Sequence, residues 1–137
     1  MTLKEFLSDN DRFAANAGCK LEEIRDGYAR ATLTVTAEHL NAGSVCQGGA
    51  YFTLADIAMA AVMNSHRQLT FGIQNSVMFL SSAQKGDVLT AEASEVFNHH
   101  KIPYIEVRIT NQRGNLLCVV TGMAYRKNVE LPVSGLM

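Results

Sequence analysis

The stretch that decides the fold is Gly49-Ala-Tyr-Phe-Thr-Leu-Ala-Asp-Ile-Ala-Met-Ala-Ala-Val-Met63. It is rich in Ala, Leu and Met and apolar on every side, which predicts a buried helix. Asp56 is the only charged residue between Glu38 and Arg67. A buried carboxylate without a partner either destabilises the protein or takes up a proton. A lone aspartate in such a helix therefore indicates a functional site.

A glycine-rich turn, Asn41-Ala-Gly-Ser-Val-Cys-Gln-Gly-Gly49, precedes this helix. The start of a helix offers N–H groups without partners and a partial positive charge. Gly48 and Gly49 have no side chain to block the approach of a ligand, although a tight turn alone would also favour glycine. Asp56 lies about eight residues into the helix, too deep to cap it, so a catalytic role is favoured over a structural one.

The composition limits the classes of partner. The 137 residues include 12 basic and 13 acidic side chains, a net charge of −1, which favours neither nucleic acid nor an anionic membrane. Residues 49–63 are shorter than the ~20 residues of a membrane span. The charged start Met-Thr-Leu-Lys-Glu lacks the apolar region of a signal peptide. Three scattered cysteines form no metal-binding motif, so we expect reduced thiols, no metal and a cytoplasmic protein.

The pattern along the chain predicts one α+β domain over residues 1–137. Strand 28–36 alternates between apolar and polar residues and follows strand 21–25 through Asp26-Gly27, a strong hairpin signal. Further elements are a helix over 2–16, four strands that form an antiparallel meander (about 71–80, 87–97, 102–111 and 116–127) and a tail over 128–137. A sheet with one apolar face needs a cover, so we expect a curved antiparallel sheet wrapped around the central helix.

These residues resemble a known family. The spacing Asn41-x-Gly43-x-x-x-Gln47-Gly48-Gly49-x-x-x-x-Leu54-x-Asp56 is similar to the signature of the hot-dog fold acyl-CoA thioesterases, in the PaaI-like, phenylacetyl-CoA thioesterase branch. The run Phe79-Leu-Ser-Ser-Ala-Gln-Lys-Gly-Asp87 resembles the strand end and turn of the same family, and the resemblance covers about residues 10–128.

The chain departs from the family pattern at two positions. Gln47 stands where the family usually has histidine. Gly72 stands where many members have Ser or Thr, with the hydroxyls of Thr70 and Ser76 nearby.

The resemblance implies hydrolysis of acyl-CoA or aryl-acyl-CoA to free acid and CoA, with no cofactor beyond the CoA of the substrate. It assigns the Gly48 N–H to the thioester oxygen and makes Asp56 the nucleophile or general base. Asn41 either orients the attacking water or caps its turn. Gln47 either donates a hydrogen bond in place of the family's histidine or simply faces solvent. The expected substrate-binding residues are Gly49, Gly72, Ser76, Lys85, Arg126 and Lys127.

The spacing of Gly48 and Asp56 has a consequence for assembly. Eight residues of helix separate them by ~12 Å, so they cannot reach one carbonyl within a single chain. A homodimer would bring Asp56 of one subunit to Gly48 of the other, as the family resemblance implies, and the family often pairs two dimers.

Two other functions remain open from the sequence. A non-catalytic acyl-CoA-binding module is possible because Gln47 cannot transfer a proton. A hydroxyacyl-thioester dehydratase or hydratase is less favoured, because such enzymes need a histidine paired with an acid.

Overall fold

Six antiparallel strands and a central helix make up the fold of this computed structural model, which describes residues 1–137. The elements are α1 Leu3–Asn10, α2 Arg12–Asn16, β1 Lys20–Arg25, β2 Tyr28–Thr34, α3 Gly48–Met63, β3 Gln68–Phe79, β4 Val88–Phe97, β5 Tyr104–Thr110 and β6 Leu116–Glu130. The sheet order is β1-β2-β4-β5-β6-β3, and α3 packs on one face of the sheet. The predicted α+β fold, a curved sheet wrapped around a helix, is confirmed.

The first hairpin follows the predicted alternation. Ala29, Ala31 and Leu33 of β2 are fully buried against α3, and their neighbours in the strand are more exposed. Gly27 has φ of 74°, a conformation that glycine adopts without steric cost, which explains the tight turn from β1 to β2.

The prediction of a meander from residue 71 onward is wrong for the first of its four strands. β4, β5 and β6 follow one another in the sheet, but β3 pairs with β6 at the far edge. The amide of Asn64 fixes this crossing at the end of α3, because it accepts the Thr70 N–H at 2.9 Å and donates to the Thr70 carbonyl at 3.2 Å. One edge of β3, 12 residues long, therefore has no partner strand in the chain.

The two ends of the chain differ in detail from the prediction. The expected helix over 2–16 is broken at Asp11, whose carboxylate accepts the Ala14 N–H at 3.0 Å and caps α2. β6 continues to Glu130, and the rest of the tail returns to the N-terminus, where the Leu3 N–H donates to the Gly135 carbonyl at 2.8 Å.

The central helix is not covered on every side. Its sheet-facing side holds the largest part of the core, with Tyr51, Leu54, Ala55, Ile57, Ala58, Met59, Ala61 and Val62 buried. The remaining stripe of the helix is exposed or half-buried and consists of Gly49, Phe52, Thr53, Asp56 and Ala60. The prediction that Asp56 is buried is therefore wrong for the single chain. The other residues of the stripe are small, aromatic or hydroxylated, so their hydropathy is similar to that of a buried helix face. No helix has the length and apolar character required to cross a membrane.

Candidate active site

The start of α3 offers a hydrogen-bond donor with no acceptor in the chain. Gln47 caps the helix, because its Oε1 accepts the Gly49 N–H at 2.8 Å. The Gln47 N–H donates to the His39 carbonyl at 2.8 Å, which holds the loop against the helix. The Gly48 N–H is left without a protein acceptor. The site predicted for an oxyanion thus has a free N–H at the positive end of a 16-residue helix.

A cavity of about 400 Å³ lies on one side of Gly48. The Phe79 ring forms its wall so closely that a Cβ built on Gly48 would be 2.9 Å from the Phe79 Cζ. Tyr51 fixes the turn behind the ring, since its hydroxyl accepts the Ala83 N–H at 2.7 Å and donates to the Ser81 carbonyl at 3.2 Å. The lining residues are Asn41, Val45, Cys46, Gly48, Tyr51, Phe79, Leu80, Ser81 and Ser82.

A second cavity, of about 580 Å³, lies on the other side of the helix start. It is lined by Phe13, Asn16, Ala17, Glu38, His39, Leu40, Asn41, Ala42, Gln47, Gly49, Ala50 and Thr53. The sequence did not predict the wall formed by α2. Phe13 has a spacing that suggests a core position, yet its side chain is 75% exposed. The helix start therefore stands between two cavities, and Asn41 lines both of them.

Asn41 does cap its turn. Its Oδ1 accepts the N–H groups of Gly43 at 2.9 Å and Val45 at 3.2 Å, so the oxygen is fully used by the loop. The side-chain nitrogen makes no hydrogen bond in the chain, and it remains a donor that a water or substrate can accept from.

Asp56 is exposed in the single chain, and yet the pKa of its carboxyl is raised. The main cause is desolvation by the surrounding helix, and the charge of Asp11 adds to it. Solvent therefore screens the carboxylate on its exposed side, while the packed surroundings disfavour its charge. The helix places Asp56 ~12 Å from Gly48, so one chain does not bring the two together.

Cys46 next to Gln47 is not an activated nucleophile. Its side chain is 4% exposed, and burial raises the pKa of the thiol to about 11. The thiol is therefore neutral near pH 7, whereas the thiolate is the nucleophilic form.

The predicted residues of β3 lie on different faces of the sheet. Gly72 is opposite the buried Ala124, so it faces α3. Ser76 is opposite Thr121 and lies on the outer face, away from the helix. The hydroxyl of Thr70 is already used, since it donates to the Gln68 carbonyl at 2.9 Å. Neither of the two nearby hydroxyls is available beside Gly72.

The predicted basic residues are separated. Arg126 is 7% exposed, and its Nη1 donates to the His99 carbonyl at 3.2 Å, while Nε and Nη2 have no hydrogen-bond partner. It lines a cavity of about 310 Å³ with Gln68, His100, Lys101, Lys127 and Asn128, a set without a carboxylate. Lys85 is exposed in the turn between β3 and β4 and makes no ion pair.

The sequence and fold match known proteins along most of the chain. Residues 43–118 match the model of the thioesterase superfamily. The chain belongs to this family. It is 35% identical over 130 residues to a predicted esterase of Archaeoglobus fulgidus, an alignment that covers 95% of the chain and 84% of that protein. It is 31% identical over 120 residues to the acyl-coenzyme A thioesterase PaaI of Escherichia coli, with coverage of 88% and 86%.

Solved structures of thioesterase superfamily members share the fold. The E. coli PaaI protein, from the phenylacetic acid degradation operon, superposes with a TM-score of 0.91 at 29% identity and covers 94% of each chain. A thioesterase of Streptococcus pneumoniae, solved with coenzyme A, superposes with a TM-score of 0.82 at 27% identity over 90% of this chain and 98% of that one. The predicted family is confirmed.

Proposed function

We propose that this thioesterase hydrolyses acyl-CoA thioesters, releasing a free acid and CoA. The observation that carries the proposal is the free Gly48 N–H at the start of α3, between two cavities. This arrangement gives a thioester carbonyl a donor and leaves room on both sides, for an acyl group and for the arm of CoA. The relationship to the E. coli acyl-coenzyme A thioesterase supports CoA as the thiol.

Asp56 acts as the general base. Its carboxylate takes a proton from water while the water oxygen bonds to the thioester carbon, and the carbonyl oxygen becomes an oxyanion that accepts the Gly48 N–H. The intermediate then collapses, the C–S bond breaks, and the sulfur leaves with the electron pair. The departing thiolate receives its proton from the protonated Asp56 or from water, because Gln47 has no titratable proton.

The site is completed by a second copy of the chain. The free edge of β3 can pair with the same strand of another subunit, and the exposed stripe of α3 would then face its counterpart. Such a homodimer brings Asp56 of one subunit close to Gly48 of the other. Two such dimers would then pair, as the family often does.

The phosphates of CoA bind at the cavity that contains Arg126 and Lys127. Lys101 and Lys127 are exposed at this cavity and no carboxylate lines it, which suits a phosphate that accepts several charge-assisted hydrogen bonds. The buried guanidinium of Arg126 adds positive charge to the same cavity. Lys85 provides a further positive charge in the turn after β3. Three free thiols fit a reducing compartment, so we place the protein in the cytoplasm.

The direct test measures free thiol release from a panel of aliphatic and aryl acyl-CoAs. We expect turnover of at least one panel member, and a loss of about 100-fold or more in Asp56→Asn. Circular dichroism and sedimentation should show that the variant keeps its fold and assembly. Near-wild-type turnover in Asp56→Asn would overturn the assignment of the base. Binding of CoA without turnover of any member would instead identify a non-catalytic binding module.

A further inference from the structure

The middle of β3 contains a β-bulge that turns Asn75 toward α3. Gly72 pairs with Ala124 and Gln74 with Met123, so Ile73 is an extra residue without a partner. The extra residue changes the alternation of the strand. As a result, Gly72 and Asn75 face the same side of the sheet although they are three residues apart.

Two glycines hold the Asn75 side chain. Asn75 is opposite Gly122 in β6, and a Cβ built on Gly122 would collide with the Asn75 Oδ1. A Cβ built on Gly72 would lie 3.8 Å from the Asn75 Nδ2. The amide therefore occupies the space above both glycines. It is the polar group nearest to the position where a Ser or Thr side chain at residue 72 would stand.

The Asn75 amide makes no hydrogen bond within the chain and keeps contact with solvent, because the only buried side-chain polar atoms without a partner belong to Arg126. The donors and the acceptor of the amide are therefore free to bind a water or a substrate beside Gly72.

Asn75 and Asp56 lie at the same height along the direction that α3 and β3 share. α3 and β3 run side by side in opposite directions, because Gly48 is against Phe79 at one end and Asn64 is bonded to Thr70 at the other. Asp56 is eight residues from either end of this helix segment. Asn75 is likewise near the middle of the strand segment, so the two side chains are level along the shared axis.

We propose that the Asn75 amide positions the attacking water beside Asp56, in place of the hydroxyl that related thioesterases have at the position of Gly72. The inference rests on the proposed function. Nδ2, the amide atom nearest to Gly72, donates a hydrogen bond to the water oxygen, the Asp56 carboxylate accepts a hydrogen of the water, and the remaining lone pair of the water oxygen is directed at the thioester carbon. Asn75 transfers no proton. The hydroxyls of Thr70 and Ser76 do not take this role, since one is already bonded and the other faces away.

The experiment compares four variants by steady-state hydrolysis of the best acyl-CoA of the panel. Asn75→Ala should lower kcat about tenfold or more with little change in KM, because the lost hydrogen bond acts on the water and not on the substrate. Gly72→Ser in the Asn75→Ala background should recover much of the lost kcat. Gly122→Ala should lower kcat in the same direction, because its methyl group displaces the amide. Gln74→Ala, which removes the adjacent amide on the outer face, is the matched control and should leave kcat unchanged.

A pH profile separates a chemical role from a structural one. Asn75→Asp keeps the shape but adds a second carboxylate near Asp56, which should raise the pKa of Asp56 and move the acid limb of kcat to higher pH. An unchanged limb would overturn the proposal, as would full kcat in Asn75→Ala or a double variant that recovers nothing. These failures differ from a failure of the proposed function, in which the wild type would be inactive or Asp56→Asn would remain active.

Discussion

Asp56 shows at the scale of one residue what the sequence predicts and what it does not. A single carboxylate in an apolar helix correctly indicated an unusual position, but its exposure in the single chain was not predictable. The raised pKa means that the folded state favours the protonated form. The free energy of unfolding therefore decreases as the pH rises through this pKa, so we expect Asp56→Asn to be at least as stable as the wild type at pH 7.

Asp11 should tune the pH dependence of the reaction. Its charge contributes to the raised pKa of Asp56, so Asp11→Asn should lower that pKa and move the acid limb of kcat/KM to lower pH. Asparagine can still accept the Ala14 N–H and cap α2. Asp9→Asn removes the same charge from the end of α1 and serves as the control. Identical pH profiles for the two variants would show that Asp11 does not act on Asp56.

Gln47→His should retain or raise kcat. Histidine restores the residue that the family commonly has, and its ring nitrogen can accept the Gly49 N–H that Gln47 now accepts. Gln47→Ala, which removes this contact, shows how much activity depends on the cap alone. A tenfold loss in Gln47→His, with a fold that circular dichroism shows to be intact, would mean that the amide itself is needed.

At the scale of elements, the sequence predicted every strand and the central helix because hydrophobic periodicity and turn residues are local signals. The break at Asp11 was missed, since a capping aspartate looks like any polar residue within a helical pattern. The place of β3 in the sheet was also missed. Strand order depends on the direction in which the chain continues after α3 has crossed the sheet, and this direction is set by packing.

The start of α3 allows a test of the oxyanion donor. Gly48 is the first residue of the helix, a position that accepts proline, and Gln47 has an extended backbone with φ −70° and ψ 142°, as a residue before proline requires. Gly48→Pro removes the N–H, whereas Gly48→Ala keeps it, and both add a Cβ that Phe79 must accommodate. We expect kcat of the proline variant to be about 10²–10³ below that of the alanine variant. Equal rates would exclude the Gly48 N–H as the donor.

At the scale of the whole molecule, the features that the sequence failed to predict have one physical cause. A face that the proposed homodimer would cover has the same composition as a face covered by the chain's own sheet. The stripe of α3 around Asp56 was therefore predicted to be core. The cavity wall formed by Phe13 and Asn16 was missed for a similar reason, because it depends on how α2 packs beside the loop before α3.

Mixed dimers test the shared site. Asp56→Ala and Gly48→Pro homodimers should both be inactive, because every site in them lacks one component. After subunit exchange, about half of the dimers are mixed, and each has one intact site, so activity should recover to roughly a quarter of the wild type. Mass spectrometry of differently tagged chains confirms the exchange. Confirmed exchange without recovery would place the whole site within one chain.

The packing of Asn75 against Gly122 also affects which substitutions this protein can accept during evolution. A side chain at position 122 collides with the Asn75 amide, whereas with a small residue at 75 the nearest obstacle to its Cβ is the Gln74 carbonyl oxygen at 3.3 Å. A substitution at 122 is thus more harmful while Asn75 is present than after position 75 has mutated. The order of mutations, and not only their sum, decides which descendants of this sequence are accessible.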